Sequence, residues 1–122
     1  MRMEIGKDFR FEAAHRLPEV PVEHKCHRLH GHSFRVTVVV GGNLDPKMGW
    51  LVDFAEVEAA WKPLHALLDH RYLNEVAGLE NPTSENLARF IADRLALPAG
   101  VRLVSVTVHE TCVSRCILHL SE

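Results

Sequence analysis

Residues 30 to 40 read HGHSFRVTVVV: the part from Phe34 to Val40 predicts a β-strand with one apolar face, and the two histidines just before it continue the parity of that face. Successive side chains of an extended chain point to opposite faces, so every second residue lies on the same side. Alternation of this kind is typical of a half-buried strand. The shared side holds, in order, His30, His32, Phe34, Val36, Val38 and Val40. The two histidines are therefore expected on the core side of a sheet.

A second alternating run covers residues 3 to 15 and ends at His15. His15 has the same parity as the apolar residues of this run, which are Ile5, Phe9, Phe11 and Ala13. A catalytic zinc ion usually has three protein ligands and one open position. An H-x-H pair alone is a weak signal for a metal. His15 is the natural third ligand beside His30 and His32.

Cys26 lies four residues before His30, and two roles are open for it. It could be a ligand in a Cys-His-His metal site. It could instead be a free thiolate that acts as a base beside the metal. Residue types and spacing do not separate these two roles.

The composition is that of an ordinary soluble domain. The chain has 122 residues, of which 47% are hydrophobic and 25% charged, enough for one domain with a small core. The net charge of −2 gives no electrostatic reason to expect nucleic-acid binding. No apolar run approaches the ~20 residues that span a bilayer, and the N-terminus lacks a signal-peptide core. Three cysteines, an odd number, favour a reducing compartment, so we expect a cytoplasmic protein without a membrane partner.

Helical spacing of apolar residues predicts two helices in the middle of the chain. The first runs from Asp53, a suitable N-cap, to about Asp69. Pro63 lies inside it, and a kink or a break is expected there. The second begins after Thr83, another suitable N-cap, and stops before Pro98.

Two alternating strands close the chain. The first carries Val104, Val106 and Val108 on one parity, which Glu110 shares, and the second carries Cys116, Leu118 and Leu120. The order ββααββ favours an α+β domain, in which two helices cover one face of a four-stranded antiparallel sheet. Two open sheet edges favour self-association.

Two further positions are candidates for chemistry. Asp69 and His70 are adjacent at the end of the first helix, where a carboxylate can tune an imidazole for proton transfer. The alternative is a histidine that meets the helix dipole. Glu110 has the core parity of its strand and needs a partner there, such as a ligand edge with two parallel N–H groups. The alternative is a glutamate turned to water. Cys112 and Cys116 are interpreted as structural.

With these residues in hand, the chain resembles the 6-pyruvoyl-tetrahydropterin synthase family over nearly its whole length. Within the family it is most similar to the bacterial branch that makes a 6-carboxy pterin for queuosine (7-deazaguanine) biosynthesis. The gap of three residues between Cys26 and His30 is typical of that branch. The motifs that carry the resemblance are FEAAH (11–15), CHRLHGH (26–32), LDH (68–70), PTSEN (82–86) and ETC (110–112).

The resemblance implies the T-fold, in which subunits join their sheets into a barrel and two trimers stack into a homohexamer. It also implies a zinc ion beside a cysteine base, and a proton relay contributed across a subunit interface. The implied residues are His15, His30 and His32 for zinc, Cys26 as the base, Asp69 and His70 for the relay, and Glu110, Thr83 and Ser84 for the pterin.

The substrate implied by the resemblance is 7,8-dihydroneopterin triphosphate. The products are the 6-carboxy-tetrahydropterin, acetaldehyde and triphosphate, and no redox cofactor is required. Lys25 and Arg28 are expected near the triphosphate from their charge and position. Two alternatives are open: the pyruvoyl synthase reaction, which eliminates triphosphate without carbon–carbon cleavage, and a non-catalytic zinc or pterin-binding module.

Overall fold

The computed structural model describes residues 2–120. Its strands are β1 (Arg2–His15), β2 (His30–Asn43), β3 (Arg71–Tyr72), β4 (Arg102–His109) and β5 (Arg115–His119). Its α-helices are α1 (Phe54–Leu68) and α2 (Ser84–Arg94), and short 3-10 turns cover Lys25–His27 and Leu73–Glu75. Within residues 2–120, no helix is both long and apolar enough to cross a membrane.

The α+β class is confirmed, but the sheet has five strands rather than the predicted four. The strand order is β3-β1-β2-β4-β5. The additional strand, β3, has two residues and runs parallel to β1 at Ala13 and Ala14, so the sheet is mixed rather than purely antiparallel. Two residues are too few to produce a detectable alternation.

The β1–β2 pairing places the predicted histidines next to one another. The two strands are antiparallel over 14 residue pairs, with His15 opposite His30 and Ala13 opposite His32. The even positions of β2 and the odd positions of β1 enter the core, on which α1 and α2 pack. The histidines therefore lie at the end of the core-facing side of the sheet.

The helices begin where the sequence predicts. The carboxylate of Asp53 accepts a hydrogen bond from the Ala55 N–H at 2.9 Å, and Thr83 caps α2 in the same manner. Of the kink or break predicted at Pro63, the break is wrong, because α1 is continuous through it, and the kink stays a prediction. Trp61 and Leu64, on either side of the proline, are both buried and hold the two halves of the helix on the sheet.

A β-bulge in β4 changes the predicted alternation. Val39 pairs with Ser105 and Val40 pairs with Leu103, so Val104 is an extra residue in the ladder. As a result Leu103, not Val104, packs against the core, whereas Val106 and Val108 are fully buried as predicted. The bulge lies at the far end of β4 from Glu110, whose parity follows Val106 and Val108.

Candidate metal centre and active site

Three histidines converge at the end of the β1–β2 ladder. The ring centroids of His15 and His30 are 4.6 Å apart, those of His30 and His32 are 4.9 Å apart, and those of His15 and His32 are 5.2 Å apart. His15 is fully buried, and Phe34 packs edge-on against it. The alternation and the register of two neighbouring strands are sufficient to produce this cluster.

Backbone carbonyls orient two of these rings. The Nδ1–H of His15 donates to the Pro82 carbonyl at 2.9 Å, and the Nδ1–H of His30 donates to the Arg28 carbonyl at 2.7 Å. A carbonyl can only accept, so each Nδ1 carries the proton and each Nε2 presents a lone pair. A histidine whose Nδ1–H is held by an acceptor in this manner can bind a metal ion through Nε2. The role of the Pro82 carbonyl was not predicted, because a sequence motif does not show where a backbone carbonyl points.

The electrostatics of the cluster favour uncharged imidazoles. Burial lowers the pKa of His15, although the hydrogen bond to the Pro82 carbonyl and the negative charge of Glu110 act in the opposite direction. Burial also lowers the pKa of His32. The Nε2 atoms of His15 and His32 are buried and have no hydrogen-bond partner among residues 2–120. Buried polar atoms without partners are costly, so the cluster is suited to a cation that accepts these lone pairs.

Glu110 completes the cluster. Its Oε1 lies 3.1 Å from Nε2 of His32 and 4.0 Å from Nε2 of His15. Its Oε2 accepts a hydrogen bond of 2.5 Å from the Ser84 hydroxyl. One ligand atom from each of the three histidines and Glu110 lies within 4.8 Å of all the others. Three nitrogens and a carboxylate oxygen are a donor set that zinc accepts.

Cys26 shares a cavity with this cluster but does not join it. The cavity has a volume of about 480 Å³ and is lined by Lys25, Cys26, His30, His32, Glu110, Thr111 and Ser114. Among residues 2–120, the converging group of potential ligands does not include Cys26. The Cys26 carbonyl accepts from the Leu17 N–H at 2.8 Å, which holds this segment beside the end of β1. This arrangement favours the base over the ligand.

The two candidate pterin residues on the 82–86 segment have different surroundings. Ser84 contacts Glu110 directly, whereas the Thr83 hydroxyl accepts from the Asn86 N–H at 3.1 Å and caps α2. Thr111 and Ser114, which line the cavity, were not predicted. Thr111 belongs to the ETC motif, whose first residue alone was given a role, whereas Ser114 carries no sequence signal and is brought to the cavity by the folding of β4 and β5.

Asp69 and His70 lie outside the Cys26 cavity. His70 lines a different, open cavity of about 580 Å³ together with residues of β1, β2 and β3, among them His32, which also lines the Cys26 cavity. Glu12 on β1 holds the pair in place: its N–H donates to Asp69 Oδ1 at 2.9 Å, and its carbonyl accepts from the His70 N–H at 2.6 Å. His70 has a left-handed backbone with φ of 57°, which is uncommon for a residue with a side chain. Its imidazole is mostly exposed, and its Nδ1 donates to Asp69 Oδ2 at 2.8 Å.

Asp69 is expected to keep His70 protonated to a higher pH than a free histidine. The hydrogen bond and the charge of Asp69 raise the pKa of His70, and the charge of Glu12 adds to this. Replacing Asp69 by asparagine removes the charge, so the pKa of His70 should fall toward its ordinary value. Titration of the His70 Cε1–H resonance by NMR measures this change, and Asp93→Asn on α2 is the control. An unchanged titration in Asp69→Asn would contradict the pairing.

Known proteins have sequences and structures similar to those of this chain. The family model described as 6-pyruvoyl tetrahydropterin synthase matches residues 4–120. The chain is 46% identical to a Synechocystis 6-carboxy-5,6,7,8-tetrahydropterin synthase over 115 residues, which cover 90% of this chain and 88% of the relative. It is 37% identical to a Pyrococcus furiosus dihydroneopterin monophosphate aldolase, with 82% of each chain covered.

The structure agrees with the sequence comparison. The 6-pyruvoyl tetrahydropterin synthase of Caenorhabditis elegans superposes with a TM-score of 0.88 and 26% identity, over 99% of this chain and 97% of that one. This similarity confirms the predicted T-fold. The family match over almost the whole chain, together with the 46% identity, leads to one conclusion: the chain belongs to the 6-pyruvoyl tetrahydropterin synthase family.

Proposed function

We propose that this protein converts 7,8-dihydroneopterin triphosphate to 6-carboxy-5,6,7,8-tetrahydropterin, acetaldehyde and triphosphate. It would be a zinc-dependent carbon–carbon lyase of queuosine (7-deazaguanine) biosynthesis. The observation that carries the proposal is the cavity that brings Cys26 together with two of the three converging histidines and Glu110. The 46% identity to a protein named as this synthase supports it.

Each residue has a distinct task in the proposed reaction. His15, His30 and His32 would hold the zinc ion, which would supply positive charge to stabilise negative charge on the substrate's side-chain oxygens. The Cys26 thiolate removes a carbon-bound proton from the substrate side chain. Lys25, which lines the same cavity, offers a positive charge to the triphosphate.

The Asp69–His70 pair exchanges protons with a side-chain oxygen of the substrate. Because Asp69 accepts from Nδ1, the Nε2 atom of His70 is the position available for this exchange. Proton transfer at the oxygen permits carbon–carbon cleavage and the release of triphosphate. No external oxidant or reductant is required, since the dihydropterin ring changes oxidation state by tautomerisation.

Glu110 anchors the pterin ring. Its carboxylate accepts the 2-amino and ring N–H groups, and Ser84 fixes the carboxylate through Oε2. Thr83, which is the N-cap of α2 and precedes Ser84, is the further residue that we propose for the pterin pocket.

Product analysis tests the proposed reaction. Purified protein with zinc and 7,8-dihydroneopterin triphosphate should release acetaldehyde, which a hydrazine reagent traps, and triphosphate in equal amounts. Triphosphate without acetaldehyde would indicate the pyruvoyl synthase reaction. Neither product would indicate a binding module without catalysis. The monophosphate should be assayed in parallel, since the Pyrococcus relative is named a dihydroneopterin monophosphate aldolase.

We propose that the protein assembles as a homohexamer, a dimer of trimers, and that subunits share active sites. Asp69 and His70 lie outside the Cys26 cavity of their own chain, and the outer edge of β5 has no strand partner within residues 2–120. Light scattering should give a mass near six times 13.8 kDa. A monomer that stays fully active at assay dilution would contradict shared sites.

Mixed subunits provide a sharper test of shared sites. Cys26→Ala and His70→Gln should each be inactive alone. If one site takes Cys26 and His70 from different chains, subunits refolded together at equal ratio should regain about a quarter of wild-type activity by random assortment. Co-refolding either variant with itself is the control. No recovery in mixed hexamers would show that both residues act within one chain.

The three cysteines are free thiols in the structure. This supports our proposal that the protein works in a reducing compartment, the cytoplasm.

A further inference from the structure

We propose that Asn74 is a positioning residue that fixes the Cys26 thiol at its working distance from the metal centre. The inference rests on the proposed function, because it takes Cys26 as the base. Asn74 lines neither the Cys26 cavity nor the cavity of His70. It acts through the backbone that continues β1 beyond His15.

The side-chain amide of Asn74 holds both backbone groups of Arg16. Its oxygen accepts from the Arg16 N–H at 3.0 Å, and its nitrogen donates to the Arg16 carbonyl at 2.9 Å. These two hydrogen bonds form the Asn74 clamp. The backbone of β3 pairs with β1 only as far as Tyr72 opposite Ala14, and the chain then turns at the buried Leu73. The amide offers an acceptor and a donor, as a peptide group does, so it continues the pairing to Arg16.

Arg16 and Leu17 in turn hold the segment that carries Cys26. The Leu17 N–H donates to the Cys26 carbonyl at 2.8 Å. The Arg16 guanidinium donates through Nη1 to the His27 carbonyl at 3.3 Å. Within the same segment, the Cys26 N–H donates to Nδ1 of His24 at 3.0 Å. The short turn around Cys26 is thus attached to the end of β1 by the two residues that follow the clamp and the strand.

The metal centre is attached to the sheet in a different way. His15 is fully buried, lies opposite His30 in the β1–β2 ladder and donates to the Pro82 carbonyl. His30 belongs to β2 itself. Loss of the clamp is therefore expected to move the Cys26 thiol relative to the histidines, while the histidines keep their places.

One longer contact joins Asn74 to the segment before Pro82. The Asn74 amide nitrogen lies 3.5 Å from the Glu80 carbonyl oxygen, which is at the limit of a hydrogen bond. The same segment has a shorter hydrogen bond of its own, because the Asn86 amide donates to the Asn81 carbonyl at 2.9 Å. The Pro82 carbonyl should therefore stay in place when Asn74 is replaced.

The distance between thiol and metal matters because a base removes a proton only over a short range. A misplacement of about 1 Å can lower a rate by about 10²-fold. Asn74→Ala leaves both backbone groups of Arg16 without the clamp, and the turn around Cys26 should shift with them. We expect kcat to fall by about 10- to 100-fold and KM to change by less than about two-fold.

Crystal structures of zinc-loaded wild type and Asn74→Ala test the inference directly. In the variant the Cys26 thiol should be displaced by about 1 Å relative to the zinc ion, while the three histidines superpose and zinc content stays at the wild-type level. Asn74→Asp has the same shape and keeps only the bond from the Arg16 N–H, so it serves if Asn74→Ala does not fold, and it should displace the thiol in the same direction. A thiol in the wild-type position in the folded variant would overturn the proposal.

A double-mutant cycle shows through which residue Asn74 acts. Asn74→Ala should lower the kcat of wild type, but it should change the residual kcat of Cys26→Ala by less than about two-fold, because the displaced thiol is already absent. A merely structural contribution of Asn74 would lower both by the same factor. Equal factors would therefore contradict a role through Cys26.

Asp45→Ala is the matched control. The Asp45 carboxylate also makes two hydrogen bonds to the backbone, since it accepts from the N–H groups of Lys47 and Met48 at 2.8 and 3.1 Å. These bonds lie in the loop after β2, at the other end of the sheet from His30. Asp45→Ala should lower the melting temperature as Asn74→Ala does, but it should leave kcat unchanged.

The outcomes separate this inference from the proposed function. If wild-type protein releases no acetaldehyde, the proposed reaction fails, and the two crystal structures still decide whether Asn74 sets the position of Cys26. If wild type is active and Asn74→Ala matches it in kcat and in thiol position, the proposed function stands and the positioning role is wrong.

Discussion

Replacing Cys26 by alanine is expected to lower turnover by about 10²- to 10⁴-fold while zinc content stays at the wild-type level. Cys26 shares the cavity with His30, His32 and Glu110 but does not belong to the converging group of potential ligands. Its loss should therefore remove the proton acceptor and leave the metal centre intact. Substrate affinity should change little.

Zinc content and activity should be measured on the same Cys26→Ala preparation. Exchange of solvent deuterium into the substrate side chain is the second readout, and it should disappear together with turnover. Cys112→Ala, which removes an exposed thiol from the β4–β5 hairpin, is the matched control and should behave as wild type. Zinc lost in parallel with activity would make Cys26 a ligand and leave the base unassigned.

Replacing His30 by alanine is expected to remove zinc and activity together. The ring of His30 faces both other histidines. Its Nδ1–H donates a hydrogen bond to the Arg28 carbonyl, so the Nε2 atom of the same ring is directed into the cluster. Loss of a direct ligand should weaken metal affinity by more than the roughly 10- to 100-fold typical of outer residues. Activity should fall to background at limiting zinc.

His30 is a better position for this test than His15. His15 is fully buried, so its replacement would also leave a cavity in the core. His30 is only partly buried, and circular dichroism should show that His30→Ala keeps the native fold. His119→Ala, on the exposed face of β5, is the control for loss of an imidazole. Full zinc occupancy in His30→Ala would refute the ligand assignment.

The sequence alone determined the parts of the site that depend on local periodicity. Alternation in two strands was enough to place His15, His30 and His32 on the core side, because a strand has a side-chain period of two whatever its neighbours are. The same local rules located the caps Asp53 and Thr83, since a capping side chain bonds a backbone N–H only two or three residues away. The α+β class and the order of the main elements followed from these signals.

Only the tertiary structure decided what depends on contacts between distant residues. The hydrogen bond from His15 to the Pro82 carbonyl joins residues that are 67 positions apart in sequence. The hydrogen bond from Ser84 to Glu110 joins residues that are 26 positions apart. The short strand β3 exists because it pairs with β1, and a single extra residue at Val104 moved Leu103 into the core. No local pattern specifies such pairings, because their free energy comes from chain segments that meet only after folding. For the same reason the sequence could name Asp69, His70 and Glu110, but only the folded chain could place Glu110 beside the histidines and the Asp69–His70 pair outside the Cys26 cavity.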